Sequence, residues 1–167
     1  AQTGELITTY TGHGEQVHAV ALHPDGKLAI SAGADMKIHY WLPDNPGYED
    51  AEMKKPKKHQ VATLSGFTGT VLALAAVGGN LFACSADKSA RQFDADKRSP
   101  LKTFAGHADW LHALAVHEAT GRLATGSLDG QVRIWNTAAK SDQELAVSDF
   151  WAAPGIMPNE AAHPAPD

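Results

Sequence analysis

The chain has 167 residues and 43% hydrophobic content, enough for one domain with a buried core. A formal net charge of −5 and a pI near 6.0 supply no general field for nucleic acid or an anionic membrane surface. No apolar run approaches the roughly 18 residues of a membrane-spanning helix, and with Cys84 alone an intrachain disulfide is excluded.

Glu5 to Tyr10 reads as a short strand, with Leu6, Ile7 and two threonines supplying β propensity, and Gly12-His13 breaks it. Val17–Leu22 is a second strand, and His23-Pro24-Asp25-Gly26 turns the chain. Lys27–Ala32 and Lys37–Trp41 follow, joined by a turn that holds Asp35. Residues 43–60 interrupt the rhythm with three prolines, an acidic cluster and then four lysines, Lys54 to Lys58, which together read as a charge-compensated surface loop. Strands resume at Val61–Leu64, Val71–Val77, Leu81–Ser85 and Ala90–Phe93, and again at Leu101–Phe104, Leu111–Val116, Leu123–Gly126 and Val132–Trp135. Glu144–Trp151 can make a last strand. Residues 152–167, rich in Pro and Ala, are expected to form an extended tail.

The strands repeat in phase. Gly12-His13, Gly66-Phe67 and Gly106-His107 correspond, as do Asp35, Asp87 and Asp129, and Trp41, Phe93 and Trp135; the Asp-to-aromatic spacing is six residues in all three copies. Four strands in about 40 residues is the period of a propeller blade. These residues resemble the WD-repeat β-propeller family over roughly residues 5–151. The resemblance implies an all-β fold of three four-stranded antiparallel blades, at about 16–64, 70–104 and 110–151, with strand 5–10 belonging to a preceding blade. It also implies a buried network in each intact copy: His13, Ser31, Asp35 and Trp41, then His107, Thr125, Asp129 and Trp135. Polar turn groups stacked between neighbouring blades need partners, and such a set supplies them provided every member is satisfied. The middle copy has Phe67, Ala83 and Phe93 in place of three members, so it is expected to be held by packing, with Asp87 turned to backbone amides or solvent.

The nine histidines invite a metal reading, above all the parallel series His13, His18, His23 and His107, His112, His117. Odd spacing puts alternate members on opposite faces of a strand, so neither series offers convergent ligands and no metal or cofactor is expected. Esterase, phosphate-loop and zinc-protease motifs are absent, and no catalytic residue is assigned. Cys84 reads as an inert core thiol.

The resemblance points to a non-catalytic scaffold that binds protein, and the acidic charge balance and lack of a long apolar run lead us to expect no nucleic acid and no membrane insertion. Trp110 with Leu128 makes a candidate protein-binding patch, and Gln16 and Thr70 are the positions matching Trp110. Three blades do not close a ring that typically needs four to eight, so another chain, or a second copy, is expected to complete it. The alternative is an accessory propeller part of a larger secreted or periplasmic multidomain enzyme or electron-transfer protein. An Ala1-Gln2 start suits signal cleavage, and so an extracytoplasmic site, as well as it suits a truncation boundary.

Overall fold

Twelve short strands form three antiparallel four-stranded sheets in a computed structural model that describes residues 4–43, 60–138 and 144–145. The first sheet is β1 (Val17–Leu22), β2 (Ala29–Gly33), β3 (Ile38–Trp41) and β4 (Gln60–Leu64), paired in chain order. The second is β5 (Val71–Val77), β6 (Asn80–Ser85), β7 (Ser89–Asp94) and β8 (Ser99–Ala105). The third is β9 (Leu111–His117), β10 (Arg122–Ser127), β11 (Val132–Asn136) and β12 (Glu144–Leu145). One turn of 3-10 helix, Glu118–Thr120, joins β9 to β10. Among the described residues no helix is long and apolar enough to cross a membrane.

The sheets stack through side chains that alternate along their strands, with the second sheet sandwiched between the other two. Ile30, Ala32, Ile38 and Tyr40 leave the first sheet on one side and meet Phe67, Val71, Leu81 and Phe93 of the second. Phe82, Cys84, Ala90 and Phe104 leave the other side of the second sheet and meet Leu111, Leu123 and Trp135 of the third. The middle strands are therefore apolar on both faces, and every residue of β2 is buried. At about 1.5–3 kcal/mol for each large side chain taken from water, these two layers are the main source of cohesion. Tyr40 lies in the first layer, and burial pushes its hydroxyl up to about 12.

The innermost strand of each sheet carries the same irregularity. Val17 pairs with Gly33 and Ala19 with Ala32, so His18 is skipped; Leu72 and His112 are skipped in the same way. Such bulges re-aim the residues that follow. Two of the six histidines in the parallel series are thus bulge residues, and both are exposed.

The expected strand at Glu5–Tyr10 is not formed. Residues 4–16 carry no ladder, and Leu6 and Ile7 are each 79% exposed. A strand needs a neighbour to accept its backbone bonds, and the described residues offer this segment none. The insert at 44–59, the tail and most of the expected strand Glu144–Trp151 lie outside the described residues; Glu144 and Leu145 pair with Trp135 and Ile134.

Candidate protein-interaction site and its buried fastenings

In the third sheet the four expected network residues are bonded in series. The Trp135 indole N–H donates to Thr125 Oγ1 at 2.8 Å, and Thr125 Oγ1 lies 2.9 Å from His107 Nε2. His107 Nδ1 lies 2.9 Å from Asp129 Oδ2, which also accepts the Ala108 amide, while Oδ1 accepts the Gln131 amide. Burial raises the Asp129 carboxyl, but the Ala108 amide, His107 and the Gln131 amide outweigh it and hold it well below the ordinary value.

The first sheet repeats the series with Trp41, Ser31, His13 and Asp35 at 3.2, 2.8 and 2.8 Å. It adds a second histidine. His39 stacks on His13 with ring centroids 3.9 Å apart, accepts or donates at 2.8 Å with the Tyr10 hydroxyl, and brings Nε2 to 3.7 Å from Asp35 Oδ2. Against burial, His13 and the Lys37 amide hold the Asp35 carboxyl below its ordinary value.

His13, Asp35 and His39 thereby bring three potential ligand atoms within 4.8 Å, a grouping that takes His13 from the first histidine series and His39 from neither. The two imidazole planes differ by only 11°. Ring lone pairs lie in the ring plane, so parallel stacked rings do not converge on one ion placed between them, and the group works as a hydrogen-bonded stack. His23, by contrast, is buried beside Asp25 at 2.8 Å and reaches to 3.6 Å from Asp96 in the turn between β7 and β8.

The middle sheet meets the expectation that Asp87 turns to backbone amides and adds a side-chain donor that the sequence reading lacked. Asp87 does accept backbone amides, from Thr68 and Ser89, but its side chain is only 4% exposed and does not turn to solvent. Arg91 Nη2 donates to Asp87 Oδ2 at 2.8 Å while its guanidinium lies 4.2 Å over the Phe67 ring. A planar cation that both stacks on an aromatic face and donates to a carboxylate can do here what His107 does in the third sheet. An Arg also stands four residues after Asp129, so the spacing by itself did not single out Arg91.

These fastenings hold a surface. The Leu128 amide donates to the Trp110 carbonyl at 2.9 Å, and the matching bonds run from Ala34 to Gln16 and from Ala86 to Thr70, at 2.8 Å each. Trp110, Gln16 and Thr70 therefore occupy one equivalent position in three sheets. The Trp110 amide also donates to Asp109 Oδ1, the Ser127 hydroxyl donates to the Asp109 carbonyl, and the Asp129 amide donates to Ser127 Oγ. The backbone under Trp110 is thus tied to the buried carboxylate. Its side chain stays out, with Trp110 48% and Leu128 60% exposed.

Comparison with known proteins fits this geometry. The family model "WD domain, G-beta repeat" matches residues 4–41 and 98–136, the two copies with a complete histidine network. The chain carries WD repeats. Over 161 residues it is 32% identical to the "Ribosome biogenesis protein WDR12 homolog" of Chlamydomonas reinhardtii, covering 86% of this chain and 36% of that protein. It is 27% identical to "Nuclear distribution protein PAC1-2" of Uncinocarpus reesii over 94% of this chain and 38% of that protein. The chain thus spans little more than a third of the length of these two relatives. The fold superposes on U3-55K with a TM-score of 0.66 at 23% identity, over 82% of this chain and 40% of that one. On the computationally designed Ika4 protein the TM-score is 0.68 at 19% identity, over 86% and 79% of the two chains. The WD-repeat sheets are blades of a β-propeller.

Proposed function

We propose that this chain is a non-catalytic protein-binding scaffold whose propeller is completed by another chain, and that the Trp110–Leu128 patch is its docking site. The observation that carries the docking site is the contrast between an exposed aromatic side chain and the buried network that immobilises its backbone. A pre-ordered aromatic loses little freedom on binding, and aromatic anchors supply a large share of interface energy. The non-catalytic reading draws support from the histidines of the two networks, since both ring nitrogens of His13 and His107 are engaged in structural bonds.

A photo-crosslinking side chain at position 128, beside Trp110, tests the site in an extract of the source organism. The expected outcome is a discrete crosslinked protein, competed by excess unlabelled wild-type chain and not by Trp110→Ala. Equal competition by both would remove Trp110 from the interface.

A further inference from the structure

Resting on the reading that another chain completes the propeller, we propose that this chain is a second copy, joined head to tail, so that two three-bladed arcs close a six-bladed disc.

The two joints inside the chain show what a joint requires. The second sheet offers Leu74 and Ala76 from its inner strand to the layer it shares with the first, and the third sheet offers Leu114 and Val116 to the layer it shares with the second. Counted from the bulge, Val20 and Leu22 are the same two positions in the first sheet, yet they are 73% and 67% exposed. The side that receives them is also repeated. Ala21 of the first sheet and Ala73 of the second pack into the two layers. At the far end of the chain Ala115 stands opposite Ala124, which stands opposite Ile134, just as Ala21 stands opposite Ile30 and Ile30 opposite Tyr40. Among the described residues one copy therefore carries both halves of a joint, with Val20 and Leu22 exposed on one and, on the other, Ala115 exposed and Ala124 and Ile134 half-buried.

The segment before the first sheet already sits where a neighbouring blade would place its outer strand. Tyr10 stacks on Trp41 at 4.8 Å, as Phe104 of β8 packs on Trp135 at 5.7 Å across the joint between the second and third sheets. Leu6 and Ile7 extend this segment over Val20, Leu22 and Trp41 and enclose an open apolar cavity of about 580 Å³. Register assigns its partner. Phe104 pairs with Ala90 and Leu64 with Ile38, each three residues after a turn Asp, so Tyr10 falls opposite Val132 of the second copy. Among the described residues β12 covers only Ile134 and Trp135 on that side of β11. The same register puts Thr8 opposite Ile134 and the residues just before it opposite Trp135, so residues 5–10 displace Glu144–Leu145 and take the outer edge of the next copy's third sheet, by the edge pairing through which extended segments join a sheet.

Closure decides the number of copies. A head-to-tail joint makes either a ring or an open polymer, and two arcs of three blades fall within the usual four to eight, whereas three arcs do not.

Light scattering on the full chain tests this together with a crosslink. Ser89 pairs with Ala105, so Gln131 and Thr11 are the matching positions across the new joint. The expected mass is about 35 kDa, twice the 17.7 kDa of one chain, falling to one chain in Leu22→Asp. Oxidised Thr11→Cys, Gln131→Cys protein should run as one covalent dimer on a non-reducing gel. A monomer, or an unbounded ladder of polymers, overturns the second copy. A monomer whose Val20–Leu22 face binds an apolar dye, with the signal lost in Leu22→Asp, leaves completion by a different chain standing. A monomer that binds no dye removes that reading as well.

Discussion

The third and middle blades solve one problem with different residues. Each must hold a buried turn carboxylate, and in the third blade a hydrogen-bonded chain does so, running from Trp135 through Thr125 and His107 to Asp129. In the middle blade Ala83 and Phe93 offer no such chain, and the cation of Arg91 reaches Asp87 across the face of Phe67. Loss of three network members therefore did not leave Asp87 to solvent. The difference teaches that the requirement lies in satisfying the carboxylate, and that the identity of the donor is free.

Deleting Trp135 should be the most damaging change in that comparison. Trp135→Ala removes a fully packed aromatic and is expected to cost about 3–5 kcal/mol in urea unfolding, with Phe93→Ala in the same range because both sit in an inter-blade layer. Arg91→Leu should follow, at about 2–3 kcal/mol, since it leaves a buried carboxylate short of its charged donor. A cost near zero there would mean that the middle blade is held by packing alone. Thr125→Val keeps the shape but strands His107 Nε2 and the Trp135 indole, for about 1–3 kcal/mol; the same exchange has no counterpart at Ala83.

Acid should also separate native chain from variant. The folded Asp129 carboxyl is held below its ordinary value of 3.8, so folding favours its ionised form. Its contribution to stability is complete above the ordinary carboxylate range and is lost as pH falls through 3.8 towards the folded value. Asp129→Asn should therefore flatten the loss of stability below about pH 4, measured by denaturant titration at several pH values; an unchanged slope would refute the assignment. The smallest effect on folding belongs to Trp110→Ala, expected within about 0.5 kcal/mol of wild type because the side chain is half-exposed.

Cys84 belongs to the same account of the blade layers. It is fully buried, its thiol donates to the Leu111 carbonyl at 3.4 Å, and burial pushes it up to about 12. Reaction with an aromatic disulfide reagent is expected only upon unfolding.

Period and phase made much of this legible in advance. Three Asp-to-aromatic spacings of six and two Gly-His pairs identify the repeat, because a propeller blade reuses the same turn and so the same residues at the same offsets. They likewise brought Trp110 beside Leu128, since the backbone bond between those positions is common to all three copies. What the repeat does not encode was not legible. Arg91, His39 and Tyr10 act through contacts peculiar to one blade, and no spacing rule distinguishes a cation stacked on Phe67 from one left in solvent.

By itself, then, the sequence determined the number of sheets, the order of their strands and the polar groups that each turn must satisfy. Local β propensity and a short repeat are enough for that, as they act within about 40 residues. Only the tertiary structure decided which donor answers Asp87, that the histidines at 13 and 39 stack in parallel, and that Glu5–Tyr10 lacks a ladder. Each of these depends on what stands across a face or an edge, and that is set by neighbouring blades. The outermost faces, with Val20 and Leu22 at one end and Ala115 and Ile134 at the other, follow the same rule, with their neighbour supplied by another chain in the scaffold proposed here.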